Sequence, residues 1–288
     1  MTCPSNHPAP ASQQTLARRE FLARTAAVGL VGSSVESSIA RAKQPSGPAA
    51  RAEGAGLKMM VFDIFGTTVD WRSSVIAEGE RLGRKKGLKV DWGAFADAWR
   101  AAYGPSMNRV RKGKLPWTKL DALHRASLDE LLRRFKIEGL SEDERADFNR
   151  AWHRLRPWPD AVEGLTRLRE RYVIAPLSNG NLSLLTNLAK FAGLPWDCVL
   201  SAELVRHYKP DPEVYRSASE FFDLRPSEVM MVAAHRSDLE VPKKLGMRTA
   251  YVHRPYEGGT GRGSPMPPAG SFDLLVADFG ELASRLGA

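Results

Sequence analysis

The stretch Met59-Met60-Val61-Phe62-Asp63-Ile64-Phe65-Gly66-Thr67-Thr68 constrains this chain more than any other. Its first four residues are apolar without alternation, so they read as a strand buried on both faces, the kind found in parallel sheets covered by helices. The strand delivers a carboxylate, Asp63, at its C-terminal tip, where open α/β sheets bind their ligands. Two places further on stands Phe65, a side chain that cannot donate a proton.

The pattern then changes period. Helical stretches are expected near 73–87, 93–111, 118–136 and 141–154, the last opened by a capping box in Ser141-Glu142-Asp143-Glu144. No strand is evident among them, so this block is a helical insertion. From Trp158 onward, helix and strand alternate. Asp160 and Glu163 open a helix to about Glu170. Strands are expected over Tyr172–Leu177, Cys198–Leu200, Glu228–Ala233 and Arg248–Val252, separated by helices over about 181–193, 212–223 and 238–245. Pro176 sits awkwardly in its strand, because it has no N–H for a ladder. The alternation implies an α/β fold with a parallel sheet covered on both faces. Residues 57–71 and 157–288 form the core domain and residues 72–156 the insertion. The Gly258-Gly259-Thr260-Gly261-Arg262-Gly263 segment lies between no clear strand and helix, so it reads as a flexible surface loop within Glu257–Ser271 rather than a phosphate loop.

The N-terminus follows other rules. Arg18-Arg19-Glu20-Phe21-Leu22, a mildly apolar stretch from Thr25 to Gly32 and the small-residue site Ala40-Arg41-Ala42 have the order of a twin-arginine export signal over residues 1–42. The alternative is a tail with a chance arginine pair. The signal implies contact with the twin-arginine export machinery and a periplasmic or secreted mature protein; without it the chain is cytoplasmic. The apolar stretch is too short to span a membrane, so no stable membrane insertion is expected. Residues 43–56 read as a linker. The chain carries 42 basic and 33 acidic residues, a net charge of +9. No dense basic run with interleaved aromatics accompanies it, which argues against nucleic acid and for small anionic substrates. Only Cys3 and Cys198 are present, without metal or redox spacing; Cys198 reads as a small buried hydrophobe. The sequence leaves the oligomeric state open, a homodimer included.

Four segments place polar residues on the same sheet edge. Asp63 and Thr67 follow the first strand, and Ser178-Asn179-Gly180-Asn181 the second. Lys209-Pro210-Asp211-Pro212-Glu213-Val214-Tyr215 precedes a helix, with Asp211 as N-cap and Pro212 at its first position. Ala233-Ala234-His235-Arg236-Ser237-Asp238 follows the later strand. In this order, with a helical insertion after the first, they resemble the haloacid dehalogenase superfamily, in its type II (L-2-haloacid dehalogenase-like) branch, over roughly residues 57–255.

The resemblance implies a Rossmann-like sheet, a helical cap formed by the insertion, and Asp63 as a nucleophile that forms an aspartyl ester. The activity implied is that of a hydrolase, an (S)-2-haloacid dehalogenase cleaving the carbon–halogen bond of small 2-haloacids. It makes Thr67 the residue that orients substrate or nucleophile, and Arg100 the cap cation that receives the halide. Lys209 would keep Asp63 ionised, and Ser178, Asn179, Tyr215 and Phe65 would bind the substrate. Asp238 and His235 would serve the hydrolytic water. The superfamily's phosphatases usually carry a second aspartate where Phe65 stands, to protonate a leaving alcohol, and a further carboxylate at Ala234 for Mg²⁺. A halide needs no proton, so no cofactor and no metal ligand are expected. Two alternatives stand beside this reading, a Mg²⁺-dependent phosphatase and a non-catalytic binder of small anions. Type II enzymes carry serine near Ala233, asparagine near His235 and a bulky aromatic at Ser237; the three differences bear on ester hydrolysis and on substrate size.

Overall fold

The structure, a computed structural model, describes residues 53–288. The expected export signal, most of the linker and Cys3 lie outside them. Six parallel strands form the sheet: β1 (Met59–Phe62), β4 (Val173–Ser178), β5 (Leu200–Ser201), β6 (Val229–Ala233), β7 (Arg248–Val252) and β8 (Leu274–Val276), in spatial order β5-β4-β1-β6-β7-β8. The fold is therefore the Rossmann-like α/β arrangement expected. Every residue of β1 is fully buried. The chain leaves β1 for β4 on one side and later returns to β6 on the other. This reversal of strand order falls at the C-terminal end of β1, the place where such sheets bind ligands, and Asp63 lies there.

Pro176 sits in the second strand from the edge, paired in register with Phe62. The Ile174 N–H points away from β1, to the Asp197 carboxylate at 2.9 Å, and side-to-side alternation gives Pro176 N the same direction. There β5 pairs only with Leu177 and Ser178. No ladder hydrogen bond is lost, so proline is tolerated. The strand expected over Cys198–Leu200 instead covers Leu200–Ser201. Cys198 is half-buried at the core margin, and burial raises its thiol pKa.

A second, two-stranded ribbon pairs β2 (Val69–Asp70) antiparallel with β3 (Arg156–Pro157). The sequence gives no sign of it, because two-residue strands carry no periodicity. Between its strands run α1 (Trp71–Lys86), α2 (Trp92–Arg111), α3 (Leu120–Arg134), α4 (Glu142–Asn149) and a 3₁₀ turn, Arg150–His153. The Ser141 capping box forms as expected, with Glu144 N donating to Ser141 Oγ and Ser141 N to Glu144 Oε2. Within the helical block Trp92, Phe95, Trp99, Phe148 and Trp152 pack in mainly edge-to-face contacts, and this cluster is continuous with the core under the sheet.

The remaining helices cover the sheet: α5 (Ala161–Arg169), α6 (Leu182–Ala192), α7 (Ala202–Val205), α8 (Pro212–Glu220), α9 (Ser237–Lys244) and α10 (Phe279–Arg285). Pro212 opens α8 as expected, but Asp211 makes no side-chain cap bond. Its carboxylate accepts from Arg111 of the helical block instead, at 2.7 and 2.9 Å. A guanidinium fork offers two charge-assisted bonds against one backbone N–H.

Candidate active site

Asp63 is buried, 8% exposed, and its carboxylate has a partner on every side. Thr67 Oγ1 donates to Oδ2 at 2.8 Å, and the Ala234 N–H in turn donates to Thr67 Oγ1 at 2.9 Å. Lys209 Nζ lies 3.4 Å from Oδ1, and His235 Nδ1 3.3 Å from Oδ2. Burial alone would raise the Asp63 pKa. The Lys209 ammonium, with the bonds from His235 and Thr67, outweighs it and holds the carboxyl well below its ordinary value. Asp63 is thus an ionised, poorly solvated carboxylate, a state suited to nucleophilic attack.

The turn that presents it depends on Gly66. With φ +90, Gly66 occupies the left-handed region, and a Cβ there would run into the Glu257 carboxylate. Thr68 Oγ1 closes the turn by donating to Asp63 O at 2.7 Å. Arg254, itself buried, donates through Nε to Thr67 O and through both Nη atoms to Asp160. Asp160 therefore does more than precede a helix; it anchors the arginine that supports the Asp63 turn.

Lys209 stands between two carboxylates. Its Nζ donates to Asp238 Oδ2 at 2.7 Å as well as facing Asp63. The other Asp238 oxygen accepts from the Tyr215 hydroxyl. Burial raises the Asp238 pKa against the pull of Lys209, and it raises that of Tyr215, with the Asp238 charge adding to it. The two carboxylates together hold the lysine firmly charged in spite of its burial. Tyr215 is thus a partner of Asp238 at the floor of the site. Among the described residues no group of three His, Cys, Asp or Glu side chains is arranged to hold a metal ion.

Ser178 ends β4 with its hydroxyl oxygen accepting from Gly180 N at 3.2 Å, which leaves its O–H free to donate. Asn179 Oδ1 accepts from Lys209 N at 2.7 Å, so its amide fixes the lysine backbone and directs its N–H₂ the other way, toward Tyr103. Asn181, the residue before α6, makes no side-chain cap bond. Its amide bridges to Asp121 of α3, with Nδ2 donating to Oδ2 and Oδ1 accepting from the backbone N–H.

On the helical side, Arg100 comes from α2 and lies with its guanidinium carbon 4.6 Å from the Tyr103 ring centre and 5.5 Å from that of Trp71. Its Nη1 is buried without a hydrogen-bond partner. Both His124 nitrogens and Trp152 Nε1 share that condition. The His124 ring stacks on Trp152 at 4.5 Å, and its burial lowers its pKa to about 3, so the ring is neutral. Phe65 packs edge-on against Trp152 and Tyr103. It forms the seam between the Asp63 turn and this aromatic wall.

The structure therefore brings Asp63, Thr67, Lys209, His235, Asp238 and Tyr215 into one hydrogen-bonded cluster, with Ser178 and Asn179 beside it. Phe65 and Arg100 stand toward the helical wall. Ser237 is exposed. Sequence reasoning missed Tyr103, His124, Trp152, Arg254 and Glu257. Glu257 opens the segment read as a flexible loop, yet its carboxylate contacts His235 Nε2 at 2.9 Å and accepts from Trp71 Nε1 at 3.2 Å. No motif marks it; only its single carboxylate at the head of a Gly-rich stretch could have raised suspicion.

Comparisons with known proteins agree with this geometry. A family model described as haloacid dehalogenase-like hydrolase matches residues 57–246. The (S)-2-haloacid dehalogenase of Xanthobacter autotrophicus is 31% identical over 217 residues, 69% of this chain and 76% of that protein. (S)-2-haloacid dehalogenase 4A of Burkholderia cepacia is 29% identical over 213 residues, 69% and 84% of the two chains. Among solved structures, a defluorinating L-2-haloacid dehalogenase superimposes with TM-score 0.78 at 43% identity, covering 81% of this chain and 96% of that one. The Xanthobacter autotrophicus L-2-haloacid dehalogenase with chloropropionic acid covalently bound has a TM-score of 0.65 at 26% identity, over 79% and 97%. This chain belongs to the haloacid dehalogenase-like hydrolases, in the type II branch of L-2-haloacid dehalogenases.

Proposed function

We propose that this hydrolase removes halide from small (S)-2-haloacids through an ester on Asp63. The observation that carries the reading is an ionised, dry carboxylate with no proton donor at Phe65, facing a wall where Arg100 Nη1 has no partner. The substrate carboxylate accepts from the Ser178 hydroxyl and the Asn179 amide. Asp63 attacks the halogen-bearing carbon from the side opposite the halogen, so the centre inverts and halide departs toward Arg100. Holding the nucleophile in line, without a water shell, supplies much of the rate. Water then attacks the ester carbonyl, releases the 2-hydroxyacid and restores Asp63.

The donor set does not suit Mg²⁺. The Lys209 ammonium lies between the two carboxylates, Ala234 offers none, and oxygen-rich coordination is what Mg²⁺ requires. A phosphatase would also lack an acid for its leaving alcohol. The test is halide release from L-2-chloropropionate with and without a chelator. Release that survives chelation supports the reading, and Mg²⁺-dependent phosphate-ester turnover in its place would overturn it. Asp63→Asn is expected to lower halide release by at least about 10⁴-fold, as removal of a nucleophile does elsewhere.

The same reading includes an address outside the cytoplasm. It rests on Arg18-Arg19-Glu20-Phe21-Leu22 and Ala40-Arg41-Ala42. N-terminal sequencing of a periplasmic fraction would find a chain beginning near Lys43. An intact N-terminus confined to the cytoplasm would refute export.

A further inference from the structure

Ester hydrolysis needs a group to take a proton from water, and Asp238 is poorly free to do it. One of its oxygens accepts from Lys209 at 2.7 Å and the other from the Tyr215 hydroxyl. His235 stands on the other Asp63 oxygen, with Nδ1 3.3 Å from Oδ2. Its Nε2 lies 3.0 and 2.9 Å from the two oxygens of Glu257. The charged groups facing the imidazole are thus Asp63, from the tip of β1, and Glu257, from the segment after β7; Lys209 reaches the far Asp63 oxygen.

Glu257 is a fixed group. It accepts from Trp71 Nε1 at 3.2 Å, its backbone N–H donates to Arg254 O at 3.1 Å, and its carboxylate fills the space left by the missing Cβ of Gly66. One residue thus ties together the nucleophile turn, the first helix of the inserted block and the imidazole.

We propose that Glu257 is a positioning residue for hydrolysis of the ester: it holds the Nε2 proton of His235, so that Nδ1 is the nitrogen that accepts a proton from water. The proposal rests on Asp63 as the ester-forming nucleophile. In the resting enzyme two carboxylates flank the ring and keep it an imidazolium, its pKa pushed up to about 10 against the effect of burial. Alkylation turns Asp63 into a neutral ester and expels halide. With one flanking charge gone, His235 releases its Nδ1 proton to solvent, while Nε2–H stays on Glu257. Water then bonds through oxygen to the Asp63 carbonyl carbon and gives a proton to Nδ1. The ester carbon–oxygen bond breaks, the second water proton goes to the departing hydroxyacid oxygen, and the Asp63 carboxylate and His235 imidazolium re-form. The sum is haloacid plus water to hydroxyacid, halide and one proton.

Rapid-quench kinetics with L-2-chloropropionate, with intact-mass detection of the Asp63 ester, tests this on the full chain. Wild type should release halide and hydroxyacid together. Glu257→Gln keeps the shape but loses the charge, and should give a normal halide burst of one per active site. A steady state about 10- to 100-fold slower should follow, with the ester accumulating; this is less than the ~10²–10⁴-fold contributed by a general base itself. His235→Leu should accumulate ester as well, and Glu257→Gln in that background should add nothing. Glu257→Asp should restore part of the rate. Overturning results are a Glu257→Gln enzyme with no burst, one with wild-type turnover and no ester, or an additive double variant. If wild type itself releases no halide, the dehalogenase reading fails instead, which keeps the two claims apart.

Discussion

The two walls of the site differ in how their polar groups are satisfied. On the sheet side, Asp63, Thr67, Lys209, Asp238 and Tyr215 form a closed hydrogen-bonded network. On the helical side, Arg100 Nη1, both His124 nitrogens and Trp152 Nε1 are buried with no partner among aromatic rings. A buried polar group without a partner costs about 1–3 kcal/mol, and natural interiors rarely keep several together. Under the proposed function the walls have opposite duties. The sheet side would fix a charge that exists before substrate arrives, and the helical side would offer unpartnered N–H groups, Arg100 Nη1 among them, to a charge that exists only after the bond breaks.

Removing the charge at the centre of the satisfied wall is the harshest way to break this contrast. Lys209→Met leaves two buried carboxylates facing each other, so one of them takes a proton. The acid limb of the kcat/KM–pH profile should move to higher pH, and activity at neutral pH should fall about 10²- to 10³-fold. An unmoved acid limb would show that Lys209 does not set the charge of Asp63.

The open wall should respond in the other half of the reaction. Arg100→Lys keeps a cation but loses the planar fork that leaves Nη1 free. Halide release in the burst phase should slow by about 10- to 100-fold, with little change in the rate of ester hydrolysis. Equal slowing of both phases would place Arg100 outside the halide path.

His235 sharpens the contrast through stability. Its folded pKa is pushed up to about 10 from an unfolded value near 6.5. A raised pKa stabilises the fold fully below the unfolded value and loses that contribution as pH climbs through the folded one. The Tm gap between wild type and His235→Asn should be widest below pH ~6.5 and close toward pH ~10. A gap that widens over that range would contradict the ion pairs with Asp63 and Glu257. The smallest effect is expected at Gly66→Ala. Strain at φ +90 and crowding of Glu257 should cost about 1–3 kcal/mol in urea unfolding. Slowed ester hydrolysis should accompany it, because the displaced carboxylate is the one behind His235.

The two walls also differ in how far the sequence reveals them. Asp63 follows a strand, Lys209 precedes a helix and Asp238 lies in a helix's first turn, places where a change of period marks them. Ser178 and Asn179 likewise follow an apolar run that stops. Arg100 is one of many arginines in a helical block, and only a family likeness singles it out. In sequence His124 and Trp152 are ordinary residues of an amphipathic helix and its exit. Glu257 stands in a Gly-rich segment that composition marks as a surface loop.

The parallel sheet, the helical insertion and the strand-end carboxylate are legible in the order of residues, because buried strands, capped helices and turns are encoded by residues close together in the chain. The absence of a second acid at Phe65 is equally legible, since that is a matter of side-chain chemistry alone. Which polar atoms remain unpartnered, that both Asp238 oxygens are taken, and that Glu257 backs His235 across 22 residues of chain emerge from the folded chain. Those facts depend on distances between segments remote in sequence, and no local pattern of charge or hydrophobicity carries them.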